Sequence, residues 1–125
     1  MGKIEKISCH HCGQNWECRT GCGISHGSLK EIAKLYEKEM AEEIRALAQQ
    51  LPPVLYDFSF HAAQCMYCRN IVSIPILSIK QSGKSYMGTC PVCDKNTEFQ
   101  QNIGQMTCPA CNVAGLEQSE IGRWD

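Results

Sequence analysis

Apolar residues recur at helical spacing between residues 28 and 51. They fall three or four positions apart, at Ile32, Tyr36, Met40, Ile44, Leu47 and Leu51. Ser28 and Glu31 have the spacing of a capping box, and the prolines at 52 and 53 favour a stop. The pattern predicts one amphipathic helix about 35 Å long, with its apolar face against a core or a partner.

Two later segments have the character of strands. Residues 54–64 alternate partly between apolar and polar side chains, and residues 71–79 are mostly apolar. Pro75 has no backbone N–H, so it confines the second strand to a sheet edge or a bulge. Residues 81–84 then predict a turn, and residues 85–89 predict the return strand of a hairpin.

The C-terminal part has weaker patterns. Residues 97–101 and 105–107 predict a second hairpin around residues 102–104. The last dozen residues are mostly polar, and we expect them to be a loose tail.

The composition indicates that the fold needs a source of stability besides apolar burial. The chain has 125 residues and ten cysteines, but only three Phe, two Trp and four Tyr. The apolar core of such a chain is modest, so bound metal is the natural additional source of stability. No apolar run is long enough to span a bilayer, and residues 1–12 lack the apolar region of a secretory signal. We therefore expect a cytoplasmic protein, in which cysteines act as metal ligands or redox groups instead of forming disulfides.

The cysteines occur as four Cys-x-x-Cys pairs and a wider fifth pair, Cys18 and Cys22. A Cys-x-x-Cys turn places two sulfurs at two corners of a tetrahedron, so two turns complete a closed Cys₄ zinc site. The predicted ligands are Cys9, Cys12, Cys65, Cys68, Cys90, Cys93, Cys108 and Cys111. The residue after three of the pairs is Gly13, Asp94 or Asn112, types that tolerate unusual backbone angles, whereas Arg69 departs from this preference.

Two arrangements of the pairs are open. In the first, Cys90/Cys93 joins Cys108/Cys111 across a short hairpin, and the two N-terminal pairs share the other ion across the helix. In the second, Cys65/Cys68 joins Cys90/Cys93, so the outermost pairs must meet. The shorter intervening hairpin favours the first arrangement. We expect two Zn²⁺ ions, and iron is compatible with the same tetrahedral S₄ ligands.

The fifth pair permits a third site. Cys18, Cys22 and His26 would supply three ligands from a glycine-rich loop, and the fourth would be a histidine. The candidates for this fourth ligand are His10, His11 and His61. The alternative is that both cysteines are thiols without a metal, and that a lone histidine on a strand is structural.

The order of these features resembles a group of small bacterial zinc-ribbon proteins with several Cys-x-x-Cys motifs, themselves uncharacterised. The matching stretches are Cys9-His10-His11-Cys12-Gly13, Gly21-Cys22-Gly23, the helix with Tyr36, Cys65-Met66-Tyr67-Cys68, Cys90-Pro91-Val92-Cys93 and Cys108-Pro109-Ala110-Cys111. The resemblance implies zinc binding and no particular activity. This chain departs from the group by having cysteines at 18 and 22.

Together these features predict an α+β fold of small zinc-ribbon-type β-hairpins with one long amphipathic helix. Residues 1–68 would hold the first two Cys-x-x-Cys turns and the helix, and residues 69–113 would hold a hairpin and a C-terminal zinc ribbon. Residues 114–125 would be a flexible tail.

The predicted function is that of a non-enzymatic zinc-binding adaptor that contacts another protein, because closed Cys₄ sites leave no open metal position for a substrate. Nucleic-acid binding is the alternative, with Arg69, Lys80 and Lys84 near Tyr86 as a stacking residue. The formal net charge of −1, which becomes about −5 with two zinc ions on eight thiolates, disfavours it. Thiol redox chemistry or metal transfer at Cys18 and Cys22 is a third hypothesis.

Overall fold

In the computed structural model, which describes residues 2–22, 28–95 and 98–124, the chain forms two antiparallel sheets and two short helices. The elements are β1 Gly2–Ser8, β2 Asn15–Thr20, α1 Leu29–Ala33, α2 Lys38–Leu47, β3 Tyr56–Cys65, β4 Ile71–Ile79, β5 Ser85–Met87, β6 Phe99–Gln100, a 3₁₀ turn Ile103–Gln105 and β7 Glu117–Trp124. The predicted α+β class with one long helix is therefore wrong, because the fold is mostly β.

The three-stranded sheet has the order β2-β1-β7. Its outer strand β7 comes from the C-terminal segment that was expected to be a tail, and it pairs with β1 along its whole length. The indole Nε1 of Trp124 donates to the carbonyls of Lys3 and Thr20 at 3.0 and 3.1 Å. The Arg19 guanidinium lies 4.1 Å from the Trp124 ring centroid. The sequence pattern did not indicate this strand because its side chains are mostly polar. The ladder with β1 and the hydrogen bonds of Trp124 stabilise it.

The four-stranded sheet has the order β5-β4-β3-β6. Pro75 lies on the inner strand β4, so its predicted edge or bulge position is wrong. The carbonyl of Pro75 accepts from the N–H of Gly88 at 3.1 Å. The proline nitrogen faces the same side of the strand, just beyond the end of β5, where no regular ladder bond is required.

The predicted long helix is two short helices. Ser28 does cap α1, since its Oγ accepts from the Glu31 N–H at 3.4 Å. The helix then ends, and the Tyr36 side chain turns inward, where its hydroxyl donates to the Tyr86 carbonyl at 3.1 Å. In one straight helix, Ile32 and Ile44 would be about 18 Å apart along the axis. The break instead lets both residues enter one buried core.

The predicted second hairpin does not form between its proposed partners. Phe99 and Gln100 of β6 pair with Cys65 and Gln64 of β3. Gln105 ends the 3₁₀ turn, and Thr107 bridges to Ala114. Thr97, the first residue of that predicted hairpin, lies outside the described residues. The β6 segment is thus an edge of the larger sheet.

The described residues form three apolar cores, two at opposite ends of the larger sheet and a third around Ala63, Cys65, Val72, Ile74 and Cys90. At one end, the helices and β4–β5 bury Leu29, Ile32, Ala33, Tyr36, Ala41, Ile44, Leu77, Ile79 and Tyr86. At the other end, the three-stranded sheet packs on β3 and β4 through Ile7, Cys9, Cys18, Ala62, Ile71, Met106, Cys108 and Leu116. The core beneath the helices contains no cysteine, whereas the core at the other end contains Cys9, Cys18 and Cys108. Among the described residues, no helix has the length and apolar character needed to cross a bilayer.

Candidate metal centres

Four turns of the same shape carry the Cys-x-x-Cys pairs. In each turn, which we call a knuckle, the first cysteine N–H donates to the carbonyl five residues on, at distances between 2.9 and 3.1 Å. The N–H of the residue after the second cysteine donates back to the first cysteine carbonyl at 2.8 or 2.9 Å. The knuckles span residues 9–14, 65–70, 90–95 and 108–113.

The residue after each pair has a positive φ in all four knuckles. The angles are 78° at Gly13, 66° at Arg69, 58° at Asp94 and 62° at Asn112. Glycine, asparagine and aspartate enter this left-handed region readily, which is why three of the positions were recognisable in the sequence. Arg69 adopts the same conformation despite its Cβ. The knuckle that contains it therefore has the same shape, although an arginine at this position does not predict it.

The knuckles meet in two groups of four thiols, within each of which all sulfurs lie within 4.8 Å of one another. Cluster 1 consists of Cys9, Cys12, Cys108 and Cys111, and cluster 2 consists of Cys65, Cys68, Cys90 and Cys93. The favoured pairing of neighbouring knuckles along the C-terminal chain is therefore wrong, and the nested alternative is the one that the structure has.

Strand pairing explains the nested arrangement. The β1–β7 ladder pairs Ser8 with Glu117, which brings the first knuckle beside the fourth. Strands β3, β4 and β5 run up, down and up, so the chain returns to the second knuckle when it reaches Cys90. The order of the strands in the sheets therefore determines which knuckles share a cluster. The spacing of the cysteines along the sequence does not predict that order.

The spacing of the sulfurs fits a tetrahedral metal. Contacts between knuckles are 3.6 Å for Cys9–Cys111 and Cys12–Cys108 in cluster 1. They are 3.7 Å for Cys65–Cys93 and Cys68–Cys90 in cluster 2. A tetrahedron with Zn–S bonds of ~2.3 Å has edges of about 3.8 Å. A disulfide needs ~2.05 Å, and all ten cysteines, which lie in the described part of the chain, are thiols.

The pKa values of several cluster thiols are shifted by burial, by hydrogen bonds and by the neighbouring thiols of the same cluster. The backbone N–H of Cys12 is the main cause that lowers the pKa of Cys9 to about 6. Burial raises the pKa of Cys90 to about 12. Burial also opposes ionisation of Cys68, but hydrogen bonds from Asn70 outweigh it and lower that pKa. Neighbouring thiolates repel one another, so they ionise one before another, and a divalent cation favours the thiolate form of all four.

Exposure follows one rule in both clusters. The first cysteine of every pair is buried, and the second is more exposed. Cys12 in cluster 1 is the exposed extreme, whereas Cys68 and Cys93 of cluster 2 are half-buried. Each cluster therefore has a closed inner side within a core and an outer side towards solvent.

The residues of the predicted third site are not brought together in the described part of the chain. Cys18 is buried on β2, where burial and then Glu5 raise its pKa to about 11, and Cys22 follows the strand, half-buried. His26 lies outside the described residues. His10 Nε2 is 2.7 Å from a Glu117 carboxylate oxygen.

The two remaining histidines do not join these thiols either. His61 Nε2 is 2.7 Å from the Ser59 hydroxyl, and His11 is exposed at the tip of the first knuckle. Neither histidine belongs to a group of described residues that could hold a metal.

Comparisons with protein-family models, curated protein sequences and solved structures found no match. The interpretation of the two clusters therefore depends on their geometry and chemistry. Those support two closed four-sulfur centres, each of which could hold one metal ion.

Proposed function

We propose that the protein is a non-enzymatic zinc-binding protein in which clusters 1 and 2 each hold one structural Zn²⁺ ion. The observation that carries this proposal is the convergence of eight thiols from four knuckles into two groups of four. Four thiolates saturate a tetrahedral zinc ion, so neither ion would keep a position for water or substrate.

Zinc is the metal that suits these clusters best. A structural Cys₄ site is a common zinc environment, and Zn²⁺ stabilises a fold without redox chemistry. A single iron ion accepts the same four thiolates. Measurement of the metal in protein purified from cells grown with both metals distinguishes the two, with zinc expected at two equivalents per chain.

We further propose that the protein acts by binding another protein. The helical stripe is not available for this role, because Ile32 and Ile44 are fully buried in the chain's own core. Large apolar side chains are instead exposed at the knuckle tips of cluster 2, where Met66, Tyr67 and Val92 are 57%, 62% and 61% exposed. Such side chains favour contact with an apolar protein surface.

The geometry of the β4–β5 turn does not favour nucleic-acid binding there. Tyr86, the stacking candidate, is only 5% exposed. The Lys84 ammonium lies 3.3 Å from a Glu43 carboxylate oxygen, and that of Lys80 lies 3.6 Å from Asp57. Both lysines therefore have acidic partners in the chain itself.

Native mass spectrometry tests the metal part of the proposal. We expect two zinc ions per chain, and loss of one equivalent in each of the variants Cys108→Ser and Cys90→Ser. A protein that keeps its fold without bound metal after purification in zinc-containing buffer would contradict the proposal.

A matched pair of variants tests the interaction part. Tyr67→Ser removes an exposed aromatic side chain at the cluster 2 tip, and Leu51→Ser removes an exposed apolar side chain remote from both clusters. We expect a specific co-purifying protein to be lost with Tyr67→Ser and kept with Leu51→Ser. Salt-sensitive retention of RNA or DNA, with no protein partner, would support the alternative function instead.

A further inference from the structure

A buried side-chain amide lies between the two clusters. Gln64 is 4% exposed, and it is the buried polar residue of the described chain, since the other buried side chains there are apolar or cysteine. Its place on β3 is directly before Cys65 of cluster 2. A buried amide is stabilising only if its donors and acceptor have partners.

The hydrogen-bond partners of Gln64 are sequence neighbours of ligands in both clusters. Its Oε1 accepts from the Thr107 N–H at 3.1 Å, and its Nε2 donates to the Thr107 carbonyl at 2.7 Å. Thr107 directly precedes Cys108 of cluster 1. The Nε2 also donates to the Arg69 carbonyl at 2.9 Å, and Arg69 directly follows Cys68 of cluster 2. One amide thus joins the backbone next to ligands of each cluster.

A second tie runs parallel to the first. The Arg69 guanidinium Nη2 donates to the Thr107 hydroxyl at 2.6 Å. Arg69 has the positive φ of 66° that its knuckle requires and that its Cβ disfavours. These two bonds to Arg69, at its carbonyl and at its guanidinium, hold it in that conformation. The knuckle of cluster 2 with the unusual residue is therefore the one that is fastened to cluster 1.

We propose that Gln64 is a positioning residue that couples the two metal sites, so that loading of one cluster raises the metal affinity of the other. The proposal rests on the proposed zinc binding. A metal in cluster 2 orders Cys65–Asn70, and through Gln64 and Arg69 it also orders Thr107 next to Cys108. Metal binding to cluster 1 then loses less conformational entropy, and the coupling acts equally in the reverse direction.

Zinc affinities of cluster 2 in the wild type, Cys12→Ser, Gln64→Met and the double variant test the coupling. Cys12→Ser disables cluster 1 at its most exposed ligand, where the substitution disturbs packing least. We expect it to weaken zinc binding at cluster 2, measured by chelator competition, by a factor of about 5 to 150. In a Gln64→Met background, which keeps side-chain length and removes the three hydrogen bonds, Cys12→Ser should change the cluster 2 affinity less than twofold.

If Gln64→Met does not fold, the comparison of wild type with Cys12→Ser still tests the coupling. A milder variant tests the bond between the Arg69 guanidinium and Thr107. Thr107→Val keeps the shape and the backbone bonds and removes only the hydroxyl acceptor of Arg69, so it should reduce the coupling partially. Ser85→Ala is the control, since it removes an exposed hydroxyl contact of 3.3 Å with Ser78 away from the knuckles. It should leave the coupling unchanged.

The outcomes separate this inference from the proposed function. If wild-type protein binds two zinc ions and Cys12→Ser leaves the cluster 2 affinity unchanged, the coupling is absent although the zinc proposal stands. The role of Gln64 is likewise overturned if Cys12→Ser has the same effect with Gln64→Met as in the wild type. The role of the Arg69 guanidinium is overturned if Cys12→Ser has the same effect with Thr107→Val as in the wild type. If the wild-type protein binds no zinc, the failure lies with the proposed function.

Discussion

The turn at residues 79–84 and the knuckle at residues 9–14 have the same backbone hydrogen bonds, but only the knuckle contains cysteines. In the turn, the Ile79 N–H donates to the Lys84 carbonyl at 2.8 Å, and the Gly83 N–H donates to the Ile79 carbonyl at 2.9 Å. The φ angles of Gly83 and Gly13 are 71° and 78°. The knuckle backbone is therefore a turn that this chain also builds without a metal ligand.

The difference lies in what holds each turn in place. Ile79 is 3% exposed and belongs to the apolar core beneath the helices. Cys9 occupies the equivalent position in the knuckle and packs in a core where three of the eight buried residues are cysteines. Apolar burial stabilises the helix-covered end, whereas the sulfur-rich end has fewer buried apolar side chains and would depend on metal.

Metal removal should produce the largest difference in stability between the two ends. Structural zinc contributes about 10 to 16 kcal/mol of binding free energy in small zinc domains, comparable with the whole stability of about 5 to 15 kcal/mol of a domain. After chelation we expect hydrogen exchange to accelerate first in β1, β2 and β7, and less in α1 and α2. Equal loss of protection at both ends would show that the chain unfolds as one unit, and unchanged protection would show that metal stabilises neither end.

Truncation in the helix-covered core should have the next largest effect. Ile44 is fully buried, so Ile44→Ala should lower the free energy of unfolding by about 2 to 5 kcal/mol, while zinc stoichiometry stays at two. Urea unfolding followed by circular dichroism gives the stability. Ile121 is 50% exposed, so Ile121→Ala is the control and should change stability by less than about 0.5 kcal/mol. Loss of zinc from folded Ile44→Ala would contradict the division between the two ends.

Backbone strain should be similar in the turn and in the knuckle. A Cβ at Gly13 or Gly83 would meet no atom within 4 Å, so alanine there costs only the left-handed conformation, about 1 to 2 kcal/mol at each position. Asn112→Gly should act in the opposite direction, by a smaller amount, because asparagine tolerates φ of 62°. Thermal unfolding of the three variants measures this, and a much larger loss at Gly13 alone would mean that the two turns are not equivalent.

The smallest effect concerns the fifth cysteine pair. Cys18 is 2% exposed, whereas Cys22 is half-buried, and neither belongs to a cluster. We expect iodoacetamide to modify Cys22 in the metal-loaded native protein and to leave Cys18 unmodified. Cys22→Ser should keep two zinc ions and the wild-type stability within about 0.5 kcal/mol. A third zinc ion that disappears with Cys22→Ser would contradict this assignment.

Local patterns in the sequence predicted local structure well. The Ser28 cap, the two central strands and the turn between β4 and β5 follow from capping, alternation and glycine chemistry. The turns at Gly13, Asp94 and Asn112 were recognisable for the same reason, because each residue type tolerates a positive φ.

Features that depend on tertiary contacts were missed. The break after α1 is set by the Tyr36 bond to Tyr86 and by the shared core, which helical periodicity does not encode. The polar strand β7 is stabilised by its ladder with β1 and by Trp124. Since that ladder also brings the outermost knuckles together, the error about the tail and the error about the pairing have one cause.

The nested pairing of the knuckles is the central claim, and NMR of protein loaded with ¹¹³Cd²⁺ tests it most directly. Each cadmium ion couples through bonds to the β-protons of its own four cysteines. We expect two cadmium resonances, one correlated with Cys9, Cys12, Cys108 and Cys111, and the other with Cys65, Cys68, Cys90 and Cys93. If either resonance correlated with both Cys93 and Cys108, the nested pairing would be contradicted.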